Sequence, residues 1–197
     1  MQGSALNCVI LAAGLSRRAG ENKLLKKVQG IPLCLFIMRK IAELYSADLL
    51  AGGRVVVVTN YSDVADLAHD LGFETVSSPQ AQLGKSYSLR SALAVLGDTD
   101  PIMFCVADQP YVSIDTLNSL IQEHLSHPES IIYPLYAGKR GNPMIFPSAA
   151  YESLKSLEGD QGGAKIIADF PSKAVLVDDV LEAKDFDLAS DFTNVSE

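Results

Sequence analysis

Positive charge is scarce in this 197-residue chain, which carries 16 lysines and arginines against 24 acidic residues and a net charge of −8. Non-specific nucleic-acid binding needs a continuous basic face to displace counterions, so nucleic acid is excluded as a partner. Long apolar runs are missing as well. No stretch reaches the ~18 uninterrupted apolar residues of a membrane helix, and no membrane association is expected. The opening run, Leu6 to Ala13, ends in small residues but has no basic leader and only a short apolar core, so it reads as a strand of a cytoplasmic protein rather than a secretory signal.

Cysteine is limited to Cys8, Cys34 and Cys105, odd in number, far apart and each inside an apolar stretch. That pattern excludes a disulfide framework or a zinc knuckle and predicts buried small hydrophobes. His69, His124 and His127 lack H-E-x-x-H or C-x-x-C company and are expected on helix surfaces rather than on a metal. Repeats, low-complexity tracts and linkers are absent too. A chain of this length suits one core, and a single domain over 1–197 is expected.

What is present is an alternation of short apolar runs with helical patterns, which predicts a layered α/β domain with a mostly parallel sheet. Strands are expected over 6–11, 54–59, 73–76, 102–106, 131–136, 142–146 and 174–177. Helices are expected over 33–45, 62–70, 86–96, 113–126, 149–157 and 163–168, with Ser62 and Ser113 as N-caps and Gly72 and Gly97 as stops. The run Ile102–Val106 is apolar throughout, as a strand buried on both faces must be. Ligands of such sheets sit beyond the carboxyl ends of the strands, so the loops after Leu11 and Val106 are the places to look for chemistry.

The first of these loops runs from Leu11 through Ala12, Ala13, Gly14, Ser16 and Arg18 to Lys23. Its small residues permit close approach of a ligand, and Gly14 can turn amides toward a phosphate. Between positions 17 and 27 stand Arg17, Arg18, Lys23, Lys26 and Lys27, a local excess of cations in an acidic protein, for which a triphosphate is the obvious anion. A second segment, Pro79 to Gly84-Lys85-Ser86, nearly matches the pattern G-x-x-x-x-G-K-[ST]. Proline in place of the first glycine removes an amide that a phosphate cradle needs, so a P-loop is not expected there.

Asp108 closes the Ile102–Val106 strand beside Gln109 and Pro110, where a carboxylate can hold Mg²⁺ against phosphate oxygens. The chain end carries Asp178, Asp179, Glu182, Asp185, Asp187 and Asp191, as a solvated face often does. In an extended Asp185-Phe186-Asp187 segment both carboxylates would point the same way, toward a metal held by Asp108.

The N-terminal loop resembles the nucleotidyltransferase signature L-A-A-G-x-S-x-R-x-G-x-x-K. Over almost the whole chain the similarity narrows to the MobA-like molybdenum cofactor nucleotidyltransferases, cytidylyltransferase branch. Gly84 to Arg90 looks like that family's G-M-x-x-S-L loop, and Ala107-Asp108-Gln109-Pro110 like its G-D-Q-P. Arg140-Gly141-Asn142-Pro143 and Gly159-Asp160-Gln161-Gly162 resemble its R-G-N-P and G-D-x-G, and Asp185-Phe186-Asp187 falls where it ends in D-x-D-T-P. Ala19 for Met, Ala107 for Gly and Leu188-Ala189 for Thr-Pro are the departures, the last of which bears on Asp187.

The resemblance implies a Rossmann-like, three-layer nucleotidyltransferase fold of the GT-A type, with Mg²⁺ as cofactor. It implies base and ribose contacts from Leu11, Ala12, Ala13 and Gly14, further nucleotide contacts from Ser16, Pro79, Ser86 and Ser88, and phosphate clamps from Arg18 and Lys23. Asp108 and Asp187, with Asp185 as the alternative, would be metal ligands; Gln109, Arg140, Gly141, Asn142, Pro143 and Asp160 would flank the pterin. The implied reaction is transfer of CMP from CTP to the phosphate of molybdopterin or molybdenum cofactor, for delivery to a recipient molybdoenzyme or its chaperone. GTP as donor, a sugar phosphate as acceptor, and a non-catalytic cofactor carrier are the alternatives.

Overall fold

The computed structural model describes residues 5–14, 22–187 and 189–193. In chain order the strands and helices are β1 (Asn7–Leu11), β2 (Lys27–Val28), β3 (Ile31–Pro32), α1 (Leu33–Ser46), β4 (Val55–Val58), α2 (Ser62–Asp70), β5 (Glu74–Val76), α3 (Lys85–Leu96), β6 (Ile102–Val106) and α4 (Ile114–Ser126). They continue with β7 (Ile131–Tyr136), β8 (Lys139–Arg140), β9 (Met144–Phe146), α5 (Tyr151–Lys155), β10 (Ser172–Val177) and α6 (Ala189–Thr193).

The main sheet has the order β10-β7-β9-β6-β1-β4-β5, with β8 folded back onto β7. β1 pairs in parallel with β4 and β6, so Leu11 lies opposite both Val58 and Val106, and the loops after β1 and β6 leave the same edge side by side. β9 runs antiparallel between β6 and β7. The four valines of β4 are all buried because helices cover both sheet faces, and an apolar run is then the only pattern that hides every side chain.

One face packs Cys8, Ile10, Val57 and Met103 against α1, α2 and α4 through residues such as Leu33, Ile41, Val64 and Leu120. The other packs Val9, Val56 and Phe104 against α3 and α5 through Leu93, Tyr151 and Leu154. The sheet and the two flanking layers make the mostly parallel, Rossmann-like α/β arrangement expected from the sequence. Among the described residues no helix is long and apolar enough to cross a membrane.

Several local expectations hold and others need correction. Ser113 caps α4, its Oγ accepting from the Thr116 N–H at 3.0 Å. All three cysteines are free and buried. Ser62 is instead the first residue of α2; Tyr61 precedes it without a side-chain cap, and its own N–H donates to Thr59 Oγ1. Residues Gly163–Asp169 form a 3₁₀ helix rather than an α-helix, where Gly163 lets the chain lie against the Phe146 ring.

His124 is not on the surface: it is 3% exposed, one turn beyond Leu120 and Ile121 on the core stripe of α4, and burial lowers its pKa. His69 lies in α2 within 2.9 Å of Thr75 Oγ1, and His127 Nδ1 lies 3.0 Å from Glu123 Oε1.

Candidate active site

Beyond the carboxyl ends of β1 and β6 lies a cleft of about 470 Å³. Ten of the residues singled out from sequence line it: Leu11, Ala13, Gly14, Lys23, Ser88, Asp108, Asn142, Asp160, Asp185 and Asp187. Gly14 and Asp108 therefore share one cavity, because parallel pairing in register sets the ends of β1 and β6 level with each other.

Lys23 is the centre of the cleft's charge. It opens a 3₁₀ turn (Lys23–Leu25) held by the Asn22 side chain, whose Oδ1 accepts from the Leu24 N–H, and by the buried Leu24. Its Nζ donates to Asp108 Oδ2 at 2.8 Å and to Asp187 Oδ1 at 2.6 Å. Burial works against the charged ammonium, but the Asp108 charge and the bonds to both carboxylates outweigh it and raise the Lys23 pKa.

The second carboxylate reaches the cleft because the chain end is strapped to β6. The Phe186 N–H donates to the Asp108 carbonyl at 2.9 Å. Phe186 itself is fully buried, with edge-on contacts at 5.4 Å to both Tyr111 and Phe192. A buried aromatic between two acids in an extended segment turns both acids outward on the other side, so Asp185 and Asp187 both face the cleft. Asp187 is steadied by its N–H bond to Asp191 Oδ2 at 3.0 Å. Asp185 accepts from Gln109 Nε2 at 2.8 Å; desolvation and the nearby Asp108 charge raise its pKa, while the Gln109 bond opposes them.

Behind this strap, Glu182 is buried and its Oε2 accepts from the Ser113 N–H at 3.0 Å. Lys40 donates to the carbonyls of Pro110 and Val112 at 2.8 and 2.6 Å. The loop that carries Asp108 is thus held from both sides.

The opposite wall joins two loops far apart in sequence. Gly84, at φ +136°, lies so close to Gly159 that a Cβ would sit 2.1 Å from the Gly159 carbonyl carbon and oxygen. The Ser86 N–H donates to that same carbonyl at 3.1 Å. Ser86 is consequently buried in the joint, whereas Ser88, one position past the next residue, lines the cleft. Gly141 packs on the Tyr136 ring, whose hydroxyl donates to the Asn142 carbonyl at 3.1 Å, which sets Asn142 at the cleft wall.

Some residues singled out from sequence stand elsewhere. Ala12 faces the core under α1, Pro143 is buried, and Pro79 is exposed outside the cleft lining. Gln109 is buried and reaches the cleft only through Asp185, and Arg140 is exposed with its guanidinium 5.5 Å from the Tyr133 ring centre. Ser16 and Arg18 lie outside the described residues. Ala81, Gln82, Lys85 and Val106 line the cleft without having been singled out. Val106 could have been found as the last strand residue before Asp108, but the others come in only through the long-range contact of Gly84 with Gly159.

A glycine on the cleft wall and a lysine between two carboxylates, set at the carboxyl edge of a mostly parallel sheet, are what an α/β enzyme of the nucleotidyltransferase class presents to a metal-bound polyphosphate. The chain belongs to the family of the MobA-like NTP transferase domain, whose model matches residues 8–175. It is a nucleotidyltransferase, and its substrate is a nucleoside triphosphate.

Among curated relatives it is 29% identical over 194 residues to the purine catabolism protein PucB of Bacillus subtilis, covering 94% of this chain and 90% of that protein. It is 26% identical over 136 residues to a probable molybdenum cofactor guanylyltransferase of Natranaerobius thermophilus, covering 68% and 62%. The crystal structure of Rv0371c from Mycobacterium tuberculosis superposes with a TM-score of 0.74 at 25% identity over 98% of this chain and 97% of that one. The manganese complex of the same mycobacterial protein superposes at 0.73 with 24% identity, over 98% of each chain.

Proposed function

We infer that this chain transfers CMP from CTP to the terminal phosphate of molybdopterin, with or without bound molybdenum, as a single cytoplasmic domain that uses Mg²⁺. The observation that carries the reading is the convergence of Lys23, Asp108 and Asp187 in the cleft beside Gly14.

The donor set fits the ion. Asp108 and Asp187 already share one cation, the Lys23 ammonium, at 2.8 and 2.6 Å, and carboxylate oxygens suit a hard divalent metal. Among the described residues no three ligating side chains form a closed cage. Two carboxylates completed by substrate phosphates are the usual arrangement for Mg²⁺. When bound there, the ion would neutralise charge on the α- and β-phosphates of the nucleotide.

A phosphate monoester is anionic at neutral pH, so its oxygen attacks the α-phosphorus without a general base. That P–O bond forms as the bond to the bridging oxygen breaks, and pyrophosphate leaves with the electron pair. Lys23, and by family resemblance Arg18, would carry the charge of the phosphates, so catalysis is positioning and electrostatics. Leu11, Ala13, Gly14 and Ser88 would contact the nucleoside and Asn142 and Asp160 the acceptor, and the product would pass to a molybdoenzyme or its chaperone.

The relative named as a molybdenum cofactor guanylyltransferase supports the acceptor and makes GTP the second reading for the donor. Pyrophosphate release measured with molybdenum cofactor, Mg²⁺ and either CTP or GTP decides the donor. Release with a sugar phosphate but not with the cofactor would reject the acceptor. Asp108→Asn separates enzyme from carrier: an enzyme loses turnover, whereas a carrier keeps delivering cofactor to an apo-molybdoenzyme.

A further inference from the structure

Lys23 stands where the proposed metal would go. Its Nζ bridges Asp108 Oδ2 and Asp187 Oδ1, which come from chain positions 85 and 164 residues away. The backbone at Lys23 is fixed by the Asn22 cap and the buried Leu24, and the two carboxylates are fixed by the Phe186 to Asp108 backbone bond. The part of this triad free to change position is therefore the four-carbon stem of the lysine, which keeps several rotatable bonds. An ammonium and a divalent cation repel strongly at hydrogen-bonding distance and cannot occupy the space between the same two carboxylate oxygens.

We propose that Lys23 is an internal stand-in for the divalent cation, held between Asp108 and Asp187 until metal arrives and displaced onto the phosphates of the nucleotide as it does. The proposal rests on the reading of Asp108 and Asp187 as metal ligands. Without nucleotide, metal entry strips the ammonium of its bonds to both carboxylates. With a triphosphate present, the displaced ammonium gains an anionic partner. Metal and nucleotide then bind with positive coupling, and by linkage each strengthens the other by the same factor. The lysine also keeps the two acidic groups from repelling each other while the cleft holds no ligand.

The test is Mn²⁺ binding to the intact chain, followed by the electron paramagnetic resonance signal of the free ion and by calorimetry, with and without CTP. Lys23→Met is expected to bind Mn²⁺ without nucleotide about tenfold or more tightly than the parent chain, and to lose most of the enhancement that CTP gives the parent, in the usual range of such couplings. Lys85→Met removes a different cleft lysine and is expected to change Mn²⁺ affinity several-fold less. Lys23→Gln serves in place of the methionine variant if that one fails to fold. Equal Mn²⁺ affinity in the parent and the Lys23 variants, or equal gains from Lys23→Met and Lys85→Met, overturns the stand-in role and leaves the metal reading intact. No Mn²⁺ binding by any variant, with or without CTP, overturns both.

Discussion

The backbone N–H of Phe186 donates to the carbonyl oxygen of Asp108 across 2.9 Å, joining the Asp185–Asp187 segment to the turn that follows strand β6. Through that one bond and the buried Phe186 ring, two carboxylates separated by 79 positions come to share the Lys23 ammonium.

Phe186→Ala removes a fully buried ring in contact with Tyr111 and Phe192, and should lower stability by about 3–5 kcal/mol, as large aromatic truncations do. Urea denaturation at pH 7 measures it. Phe186→Leu should recover a large part of the loss, and both variants should lower activity because Asp187 is then no longer aimed at the cleft.

Asp108→Asn keeps the size of the side chain but removes its charge. Turnover should fall by roughly 10²–10³-fold, or about 3–4 kcal/mol of barrier, the range measured for single electrostatic groups in other enzymes. Steady-state pyrophosphate release gives the number, and an unchanged melting temperature would separate this loss from unfolding.

Gly84→Ala places a Cβ 2.1 Å from the Gly159 carbonyl in a backbone conformation that side chains rarely adopt. The two loops must part, so Gln82, Lys85 and Ser88 move relative to Asp160. A rise in KM for nucleotide and a stability loss of about 1–3 kcal/mol are expected, the usual cost of such backbone strain. A KM within twofold of the parent would argue against any part for this joint in nucleotide binding.

Burial holds the His124 pKa below its ordinary value of 6.5, so near and below that pH the unfolded chain takes up a proton that the folded chain resists. Stability is then fully present above pH 6.5 and is lost as pH falls toward the depressed folded-state value. Thermal melts between pH 7.5 and 5.5 should show that loss, and His124→Phe, which keeps an apolar ring on the core stripe, should flatten it.

Strand and helix order was legible because both faces of the sheet are covered: Val55–Val58 and Ile102–Val106 could be nothing but buried strands. The β2–β3 hairpin was not, since two-residue strands have no periodicity to read. Nor was the antiparallel entry of β9 between β6 and β7, which depends on pairing across the sheet and not on local pattern. His124 was misplaced because a histidine on an apolar stripe looks the same in sequence as one on a wet face. In the candidate site, Gly14 and Asp108 were legible from residue types after strand ends, Lys23 from the local excess of cations and the signature resemblance, and the same-side placement of Asp185 and Asp187 from the two-residue period of extended chain. Gln82 and Lys85 were not, because they enter the cleft only when Gly84 meets Gly159, 75 positions away.

The most direct measurement is a crystal structure of the chain with CTP and Mn²⁺, using the anomalous signal to locate the metal. The expected result is one ion within ~2.3 Å of oxygens from Asp108, Asp187 and the nucleotide phosphates, typical of hard-cation coordination, with the Lys23 ammonium moved onto the phosphates. An ion bound away from both aspartates, with Lys23 still bridging them and the triphosphate elsewhere, would contradict the site described here.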